Sequence, residues 1–413
     1  MNSTQGPQTP AAPPPAPISG ATMNFTIILQ QMLAVSEKVS DMIFSPGRPP
    51  QVELNGKLQP VAVPGLDTLT PAHTAGIAKL IVGNHQKAAE NLEKQGSADL
   101  SYSSAGLSRF RVNIFMQRGT HAIVMRVIPA RPPRFSDFNL PAQLKEIAEL
   151  KNGIVLVTGP TGSGKSSTLA AIIDLINETK SYHIVTIEDP IEFLHAHKNS
   201  TVHQRELHSD TPDFALALRA ALRQAPKVIL VGEMRDRETI EVALEAAETG
   251  HLVLSTLHTI DAAKTVDRII GTFPKNEEPA IRKRIAQSFR YIVSQRLIPR
   301  ADGQGRLAAI EILKATSRTR DYVEKGESEG KSLLDAMEQG EQEGMQSFDA
   351  VIENLIRKGL VQKEEAVPYA TNQNNLVLRL ADFGGGSSGR APSSESSGQS
   401  SGGSGASMLD LLE

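Results

Sequence analysis

Residues 159–166 read GPTGSGKS, and they have the residue types that a polyphosphate site requires. They fit the pattern G-x-x-x-x-G-K-[ST], in which glycines let backbone N–H groups turn towards the phosphates. Lys165 stands where the lysine reaches the β- and γ-phosphate oxygens, and Ser166 stands where a hydroxyl ligates Mg²⁺. An apolar run precedes the loop and a helical pattern follows it, so that the helix directs its positive end at the same anion. The segment predicts that a nucleoside triphosphate binds through Thr161, Gly162, Ser163, Gly164, Lys165, Ser166 and Ser167.

Further polar side chains follow the other predicted strands of this region. Glu188, Glu233 and His258 each come directly after a short apolar run. Helical patterns separate these runs, and such alternation predicts a parallel sheet with ligands at the carboxyl ends of its strands. Phosphoryl transfer to water needs positioned phosphates, a metal ion, an oriented water molecule and positive charge, and a carboxylate at this edge can polarise the water. The neighbouring Arg235 and Asp236 are interpreted as a structural ion pair.

Arginines upstream of this region are candidates for the positive charge. Arg109 and Arg111 alternate with Phe110 and Val112, so both guanidinium groups are predicted on one face of a strand and the apolar pair in the core. Arg126 ends another strand of the same region. A guanidinium can stabilise γ-phosphate charge from a neighbouring domain. The alternative, an exposed arginine paired with a surface carboxylate, stays open for each.

The elements that must position these residues divide into two predicted domains. The chain has 413 residues, 39% of them hydrophobic, which suffices for two cores. The first domain has an α+β pattern with one helix near residues 75–92, and the second has an α/β pattern that becomes mostly helical beyond residue 300. A Pro-rich start without periodic apolar residues is predicted to be disordered, and a Gly/Ser-rich end is predicted to be flexible. The predicted boundaries are 1–22 for the arm, 23–130 for the α+β domain, 131–143 for the linker, 144–383 for the α/β domain with its C-terminal helices, and 384–413 for the tail with its apolar tip.

Composition excludes several classes of function. A formal net charge of −3 gives no global basic field for nucleic acid, so no nucleic-acid partner is expected. The chain has no cysteine, which excludes disulfides, cysteine-ligated zinc and thiol catalysis. No apolar run approaches the roughly 18 residues that span a bilayer, and the start has no charged-then-apolar signal pattern. A cytoplasmic protein is expected.

Three motifs beyond the phosphate loop resemble those of one ATPase superfamily. TIEDPIEF (residues 186–193), VILVGEMRD (228–236) and GHLVLSTLHT (250–259) resemble the Asp box, Walker B motif and His box of type IV pilus and type II secretion ATPases. Within that superfamily the chain is most similar to the type IV pilus retraction ATPases, the PilT/PilU family. The likeness extends over about residues 24–382 and includes RFRVN at 109–113 and GMQSFD at 344–349.

The resemblance implies a RecA-like P-loop ATPase domain preceded by a small PAS-like α+β domain. It further implies a homo-hexamer that hydrolyses ATP with Mg²⁺, cytoplasmic and peripheral to the inner membrane at the pilus base. The implied partners are the inner-membrane platform protein of the pilus machine and, as a further candidate, another retraction ATPase. It makes Glu188 the catalytic glutamate, places Glu233 with Ser166 at the Mg²⁺ site, and makes His258 a nucleotide-sensing residue. N-domain arginines such as Arg109, Arg111 and Arg126 would act on the γ-phosphate.

Two departures from the family pattern leave alternatives open. Residues 225–227 are Ala-Pro-Lys where the family has Asp-Pro-Asp, and residues 316–322 replace an Ala-Ile-Arg-rich helical motif. They allow an accessory PilU-like or nucleotide-responsive adaptor subunit with weak hydrolysis. A pilus-assembly or type II secretion ATPase is less favoured because the tetracysteine zinc module of those members is missing. The apolar tip at residues 408–412 suggests a docking peptide, against the alternative of a solvated tail.

Overall fold

A computed structural model describes residues 24–129, 131–138 and 140–381. The predicted Pro-rich arm at 1–22 and the tail at 384–413, with its apolar tip, lie outside these described residues. Within the described ranges, no helix is both long enough and apolar enough to cross a bilayer.

The N-terminal domain is an antiparallel sheet covered on one face by helices. The sheet has six strands in the order β3-β2-β1-β6-β5-β4. Phe110 and Val112 of β5 are fully buried against the helices while Arg111 between them is exposed, which confirms the predicted alternation. The strands are β1 (Val39–Phe44), β2 (Gln51–Leu54), β3 (Lys57–Pro60), β4 (Ser97–Ser104), β5 (Ser108–Gln117) and β6 (Thr120–Ile128). The helices are α1 (Phe25–Leu33), α2 (Pro71–Val82) and α3 (Gln86–Gln95).

The single helix predicted near residues 75–92 is wrong, because the structure has two helices there. Thr70 caps the start of α2 by accepting a hydrogen bond from the backbone N–H of His73, 3.2 Å away. At the other end Gly83 has φ +48°, a conformation that interrupts the helix before α3 begins. The turn between them is short, so the two helical patterns run together in the sequence.

The second domain is a seven-stranded sheet with helices on both faces. A short helix, α4 (Phe135–Phe138), lies in the predicted linker, and a 3₁₀ helix at Ala142–Glu149 leads into the sheet. Its strands are β7 (Gly153–Thr158), β8 (His183–Glu188), β9 (Thr201–Glu206), β10 (Val228–Val231), β11 (Leu252–Leu257), β12 (Phe289–Pro299) and β13 (Arg306–Lys314). Its longer helices are α5 (Lys165–Thr179), α6 (Phe214–Ala221), α7 (Arg237–Glu248), α8 (Ala262–Ile270), α9 (Glu278–Ser288), α10 (Ser317–Lys325), α11 (Leu333–Gln339), α12 (Phe348–Arg357) and α14 (Gln373–Ala381), with α13 (Lys363–Ala366) a single turn. Further 3₁₀ turns are Lys275–Glu277, Glu341–Glu343 and Val367–Tyr369.

This sheet has the α/β topology that the sequence predicts. Its order is β13-β12-β7-β11-β10-β8-β9. The six strands from β12 to β9 in this order are parallel, and β13 is antiparallel at one edge. Along β7, Ile154 and Leu156 face one hydrophobic cluster while Val155 and Val157 face another. Both faces are therefore buried, as a parallel sheet requires, and the carboxyl ends of its strands are left to form a site.

Beyond residue 300 the described chain is mostly helical, as predicted, but β13 is an exception. Leu307, Ile310 and Leu313 have helical spacing, yet the segment pairs with β12 over nine residues, from Arg306 opposite Pro299 to Lys314 opposite Tyr291. Tertiary pairing with a buried strand overrides the local periodicity.

Candidate nucleotide site

A cavity of about 1100 Å³ lies at the carboxyl ends of the parallel strands. All seven predicted phosphate-loop residues line it, from Thr161 to Ser167. Glu188, Glu233 and His258, each at the end of a different strand, line it as well. The predicted convergence of these residues on one site is thus what the structure shows, while their individual roles stay proposals.

The phosphate loop is shaped by glycines that no other residue could replace without strain. A Cβ at Gly159 would lie 2.5 Å from the carbonyl oxygen of Gln295 and 2.6 Å from Ser163 Oγ. Gly162 and Gly164 have φ of +76° and +90°, and α5 begins directly after Gly164. Ser163 Oγ is buried and has no hydrogen-bond partner among the described residues. A loop that bends its backbone at the start of a helix and presents such a hydroxyl fits a phosphate group.

The Lys165 side chain is held by hydrogen bonds to the backbone of this loop. The residue is 8% exposed, and Nζ donates to the carbonyl oxygens of Gly159 at 2.9 Å and Pro160 at 3.0 Å. Burial lowers the pKa of Lys165, and the charges of Glu233 and Glu192 act in the opposite direction. A desolvated ammonium with only carbonyl acceptors gains strongly from an anion, so the lysine suits phosphate oxygens as ligands.

Glu188 lies at the end of β8 in a hydrogen-bonded position. Its Oε1 accepts from Thr186 Oγ1 at 2.6 Å and from Gln204 Nε2 at 3.0 Å. Burial raises the pKa of Glu188, although these two hydrogen bonds oppose the shift. A raised pKa makes the carboxylate a better proton acceptor while the donors fix its orientation. Asp189 and Glu192 line the cavity from the same turn.

Glu233 forms a small ionic cluster with Arg235 and His258. The Arg235 guanidinium lies 2.6 Å from Glu233 Oε2, and His258 Nε2 lies 3.4 Å from the same oxygen. Partial burial alone would raise the pKa of Glu233, but the hydrogen bond from Arg235 and the charge of His258 outweigh it and lower that pKa. Glu233 is therefore an ionised acid at the cavity wall, suited to a hydrated divalent cation. Ser166, the other predicted Mg²⁺ residue, lines the same cavity.

The predicted Arg235–Asp236 ion pair is wrong. Asp236 is the N-cap of α7, where its carboxylate accepts from the backbone N–H and the Oγ1 of Thr239, both at 2.8 Å. Helix capping thus uses the aspartate and leaves Arg235 free to pair with Glu233. Side chains that are adjacent in the sequence of a turn point in different directions, so adjacency does not predict an ion pair between Arg235 and Asp236.

The three candidate arginines of the N-terminal domain lie in different places. Arg111 lines the cavity. Arg109 is instead paired with Glu206 of the second domain, Nη2 to Oε2 at 2.9 Å. Arg126 is paired with Asp41 of its own domain, Nε to Oδ1 at 3.0 Å. Within this chain only Arg111 among the three is brought to the phosphate loop.

Sequence reasoning missed two parts of the site. Gln204 on β9 holds Glu188, but its strand, TVHQRE, is too polar to be recognised as one. The cavity also has apolar lining residues from the linker and the β12–β13 hairpin, of a kind that suits a nucleobase. These residues are Phe138, Leu140, Leu297, Leu307 and Ala308. Phe138 and Leu140 come from the predicted linker, and Leu307 and Ala308 come from the part predicted as mostly helical, so no local signal connected them with the phosphate loop.

Comparison with known proteins places this site in a family. The family model described as type II/IV secretion system protein matches residues 77–367. The type IV pilus retraction ATPase PilT of Pseudomonas aeruginosa is 42% identical over 350 residues, covering 84% of this chain and 99% of PilT. The ATPase PilU of the same organism is 37% identical over 360 residues, covering 87% of this chain and 91% of PilU. A crystal structure of the pilus retraction motor PilT with bound ADP superposes with a TM-score of 0.76 at 40% identity, covering 86% of this chain and 99% of that one.

Proposed function

The chain belongs to the type II/IV secretion system protein family, and from this premise we propose that it is a motor that couples ATP hydrolysis to type IV pilus retraction. It is an ATP hydrolase of the P-loop class, and ATP with Mg²⁺ is its substrate complex. The observation that carries the proposal is one cavity lined by the phosphate loop, Glu188, Glu233 and His258. The chain that forms it matches 99% of the length of PilT.

Phosphate binding is the task of the loop and of Lys165. The loop N–H groups and the N-terminus of α5 supply fixed partial positive charge. Lys165 exchanges its carbonyl acceptors at Gly159 and Pro160 for phosphate oxygens. This exchange gains free energy because the ammonium is already desolvated before the nucleotide arrives.

Water activation is the task of Glu188. Thr186 and Gln204 donate to one oxygen of its carboxylate and so fix its orientation, and an ionised carboxylate has about four lone-pair sites, which leaves acceptor capacity for a water molecule. Burial raises its pKa, which favours accepting a proton as the water attacks the γ-phosphorus. Lys165 and Glu188 line the same cavity, which supports one site for phosphate binding and water activation.

Ser166 and Glu233 would hold Mg²⁺ together with the phosphates. When bound there, the ion would neutralise negative charge on the phosphates. Arg235 and His258 fix the Glu233 carboxylate, so that a change in charge at the phosphates is passed to His258 and the loop that follows it. This arrangement supports a nucleotide-sensing role for His258.

The proposal includes a homo-hexameric ring, contact with the inner-membrane platform protein of the pilus machine, and a location at the cytoplasmic side of that membrane. Arg111 supports the assembly of one site from two domains, because it reaches the cavity from the N-terminal domain. We assign it the stabilisation of charge on the γ-phosphate. Arg109 and Arg126 have carboxylate partners elsewhere in this chain.

The position of the Ala-Pro-Lys departure, residues 225–227, weakens the case for an accessory subunit with weak hydrolysis. The backbone N–H of Lys227 donates to the carbonyl of His183, so residues 225–227 adjoin the start of β8. Glu188 is at the opposite end of that strand. The lost carboxylates are therefore remote from the cavity, and the alternative depends on α10, which contains most of the second departure.

Complementation of a bacterium that makes type IV pili but lacks its own retraction ATPases tests the proposal. The wild-type chain should restore twitching, and Lys165→Ala, expressed to the same level, should not. Restoration that requires a second, active retraction ATPase would favour the accessory subunit. Absence of restoration under both conditions, with the purified chain hydrolysing ATP, would contradict retraction as its role.

A further inference from the structure

Glu206 is a buried carboxylate that joins three parts of the molecule. It ends β9, and its side chain is 4% exposed. Its Oε2 accepts from Arg109 Nη2 of the N-terminal domain at 2.9 Å and from the backbone N–H of Ile191 at 3.0 Å. Ile191 belongs to the loop that follows Glu188, and its neighbours Pro190 and Glu192 line the cavity. One carboxylate oxygen thus contacts both the other domain and the catalytic loop.

The strand β9 also positions Glu188, through Gln204. Glu206 is opposite Glu188 in the parallel β8–β9 register, and Gln204 precedes it on the same side of β9. Gln204 Nε2 donates to Glu188 Oε1 at 3.0 Å and to the carbonyl of Phe193 at 2.9 Å, while its Oε1 accepts from the backbone N–H of His195 at 2.8 Å. Both ends of the loop 188–195 are therefore hydrogen-bonded to β9.

A second hydrogen bond, within its own domain, orients the Arg109 side chain. Its Nη1 donates to Ser103 Oγ at 3.1 Å across the β4–β5 pair, which directs the guanidinium towards Glu206. Lys87 of α3 makes a second, exposed contact between the domains, with Nζ 3.0 Å from His208 Nδ1. The buried pair is the one that touches the catalytic loop.

We propose that Glu206 is a positioning residue that makes the geometry of Glu188 depend on the orientation of the N-terminal domain, through Arg109. A carboxylate this buried is unfavourable without its cation. When the N-terminal domain moves away, Glu206 loses Arg109 and the loop at Ile191 must rearrange to solvate the remaining charge. Glu188 then loses its aligned position, so hydrolysis is coupled to domain closure. This inference rests on the proposed function, since it assigns a control to that same site.

A double-mutant cycle on kcat and KM for ATP tests the link. The proteins are wild type, Arg109→Ala, Glu206→Gln and the double variant, with Arg48→Ala as an exposed arginine control in the same domain. Each single variant should lower kcat about tenfold and leave KM within about twofold, because the geometry of the reacting groups changes and ground-state binding does not. The double variant should be no slower than the slower single variant, since both break one link. Arg109→Lys should restore part of kcat.

Amide hydrogen exchange at Ile191 gives a readout that needs no turnover. Its N–H should exchange faster in Arg109→Ala than in wild type or Arg48→Ala. Losses of kcat that multiply to about a hundredfold in the double variant, or unchanged exchange at Ile191, would overturn the link. Faster exchange in a protein that hydrolyses no ATP would refute the proposed function and leave the link standing. Where Arg109→Ala fails to fold, Arg109→Gln, which also leaves the Glu206 carboxylate without its cation, provides the same comparison.

Discussion

Alanine at Gly159 should abolish tight nucleotide binding, whereas alanine at Gly162 should not. A Cβ at Gly159 would lie 2.5 Å from the backbone oxygen of Gln295, and the residue has φ +143°. Neither the β12 backbone nor the loop can absorb that contact without moving. Gly162 has φ +76°, but a Cβ there meets no heavy atom within 4 Å. The two glycines belong to one loop and differ in the space around them, so they form a matched pair.

The size of the effect follows from these contacts. The disfavoured backbone conformation costs about 1–3 kcal/mol, and overpacking against a fixed carbonyl costs about 1–3 kcal/mol more. The loop relieves this strain of roughly 2–6 kcal/mol by leaving the conformation that cradles phosphate, so the cost is subtracted from binding. At about 1.4 kcal/mol for each tenfold change, affinity should fall by at least about thirtyfold. At Gly162 the left-handed strain of about 1–2 kcal/mol is the same with and without nucleotide, so it lowers stability and leaves affinity within about threefold.

Titration with a fluorescent ADP analogue measures affinity, and thermal unfolding of the same samples measures stability. Gly159→Ala should lose affinity, and Gly162→Ala should unfold at a lower temperature while binding nearly as tightly as wild type. Equal losses of affinity in the two variants, or wild-type affinity in Gly159→Ala, would refute the reasoning about space in the loop.

Three further predictions concern turnover and pH. Arg111→Ala should lower kcat at least tenfold while ADP affinity, measured by the same titration, stays within about twofold, because the charge acts on the γ-phosphate; equal losses of both would indicate a ground-state binding role. Gln204→Ala removes a hydrogen bond that lowers the raised pKa of Glu188, so the acid limb of the kcat–pH profile should move to higher pH, and an unmoved limb would contradict the assignment of Glu188 as base. Burial raises the pKa of Glu311 to about 7 from an ordinary 4.5, so the wild type should lose stability as pH rises through that interval. The loss should amount to about 3 kcal/mol and should be missing in Glu311→Gln, as urea unfolding at several pH values would show; parallel profiles for the two proteins would contradict it.

The chemistry of the phosphate loop and the strand ends could be predicted from the sequence because it is local. A glycine loop between a buried strand and a helix leaves little choice of structure. The apolar run that precedes His258 in the sequence is β11, and Glu188 and His258 lie at strand ends as expected. Parallel strands then bring such residues together without any further information.

The parts that failed depend on contacts between distant segments. β13 has a helical spacing of apolar residues but becomes a strand because β12 offers it a partner. β9 is a polar strand, and its role in the site depends on the residues that Gln204 and Glu206 contact. Nothing in the alternation of Arg109 and Arg111 says which guanidinium reaches the cavity and which reaches Glu206, since that depends on how the two domains pack.

Mg²⁺-dependent ATP hydrolysis, measured against protein concentration with Glu188→Gln alongside the wild type, tests the central claim most directly. Turnover per chain should rise cooperatively as the ring assembles and should vanish in Glu188→Gln, which should still bind ATP because the phosphate loop is untouched. Normal turnover in Glu188→Gln, or tight ATP binding by the wild type with no turnover at any concentration, would contradict the account.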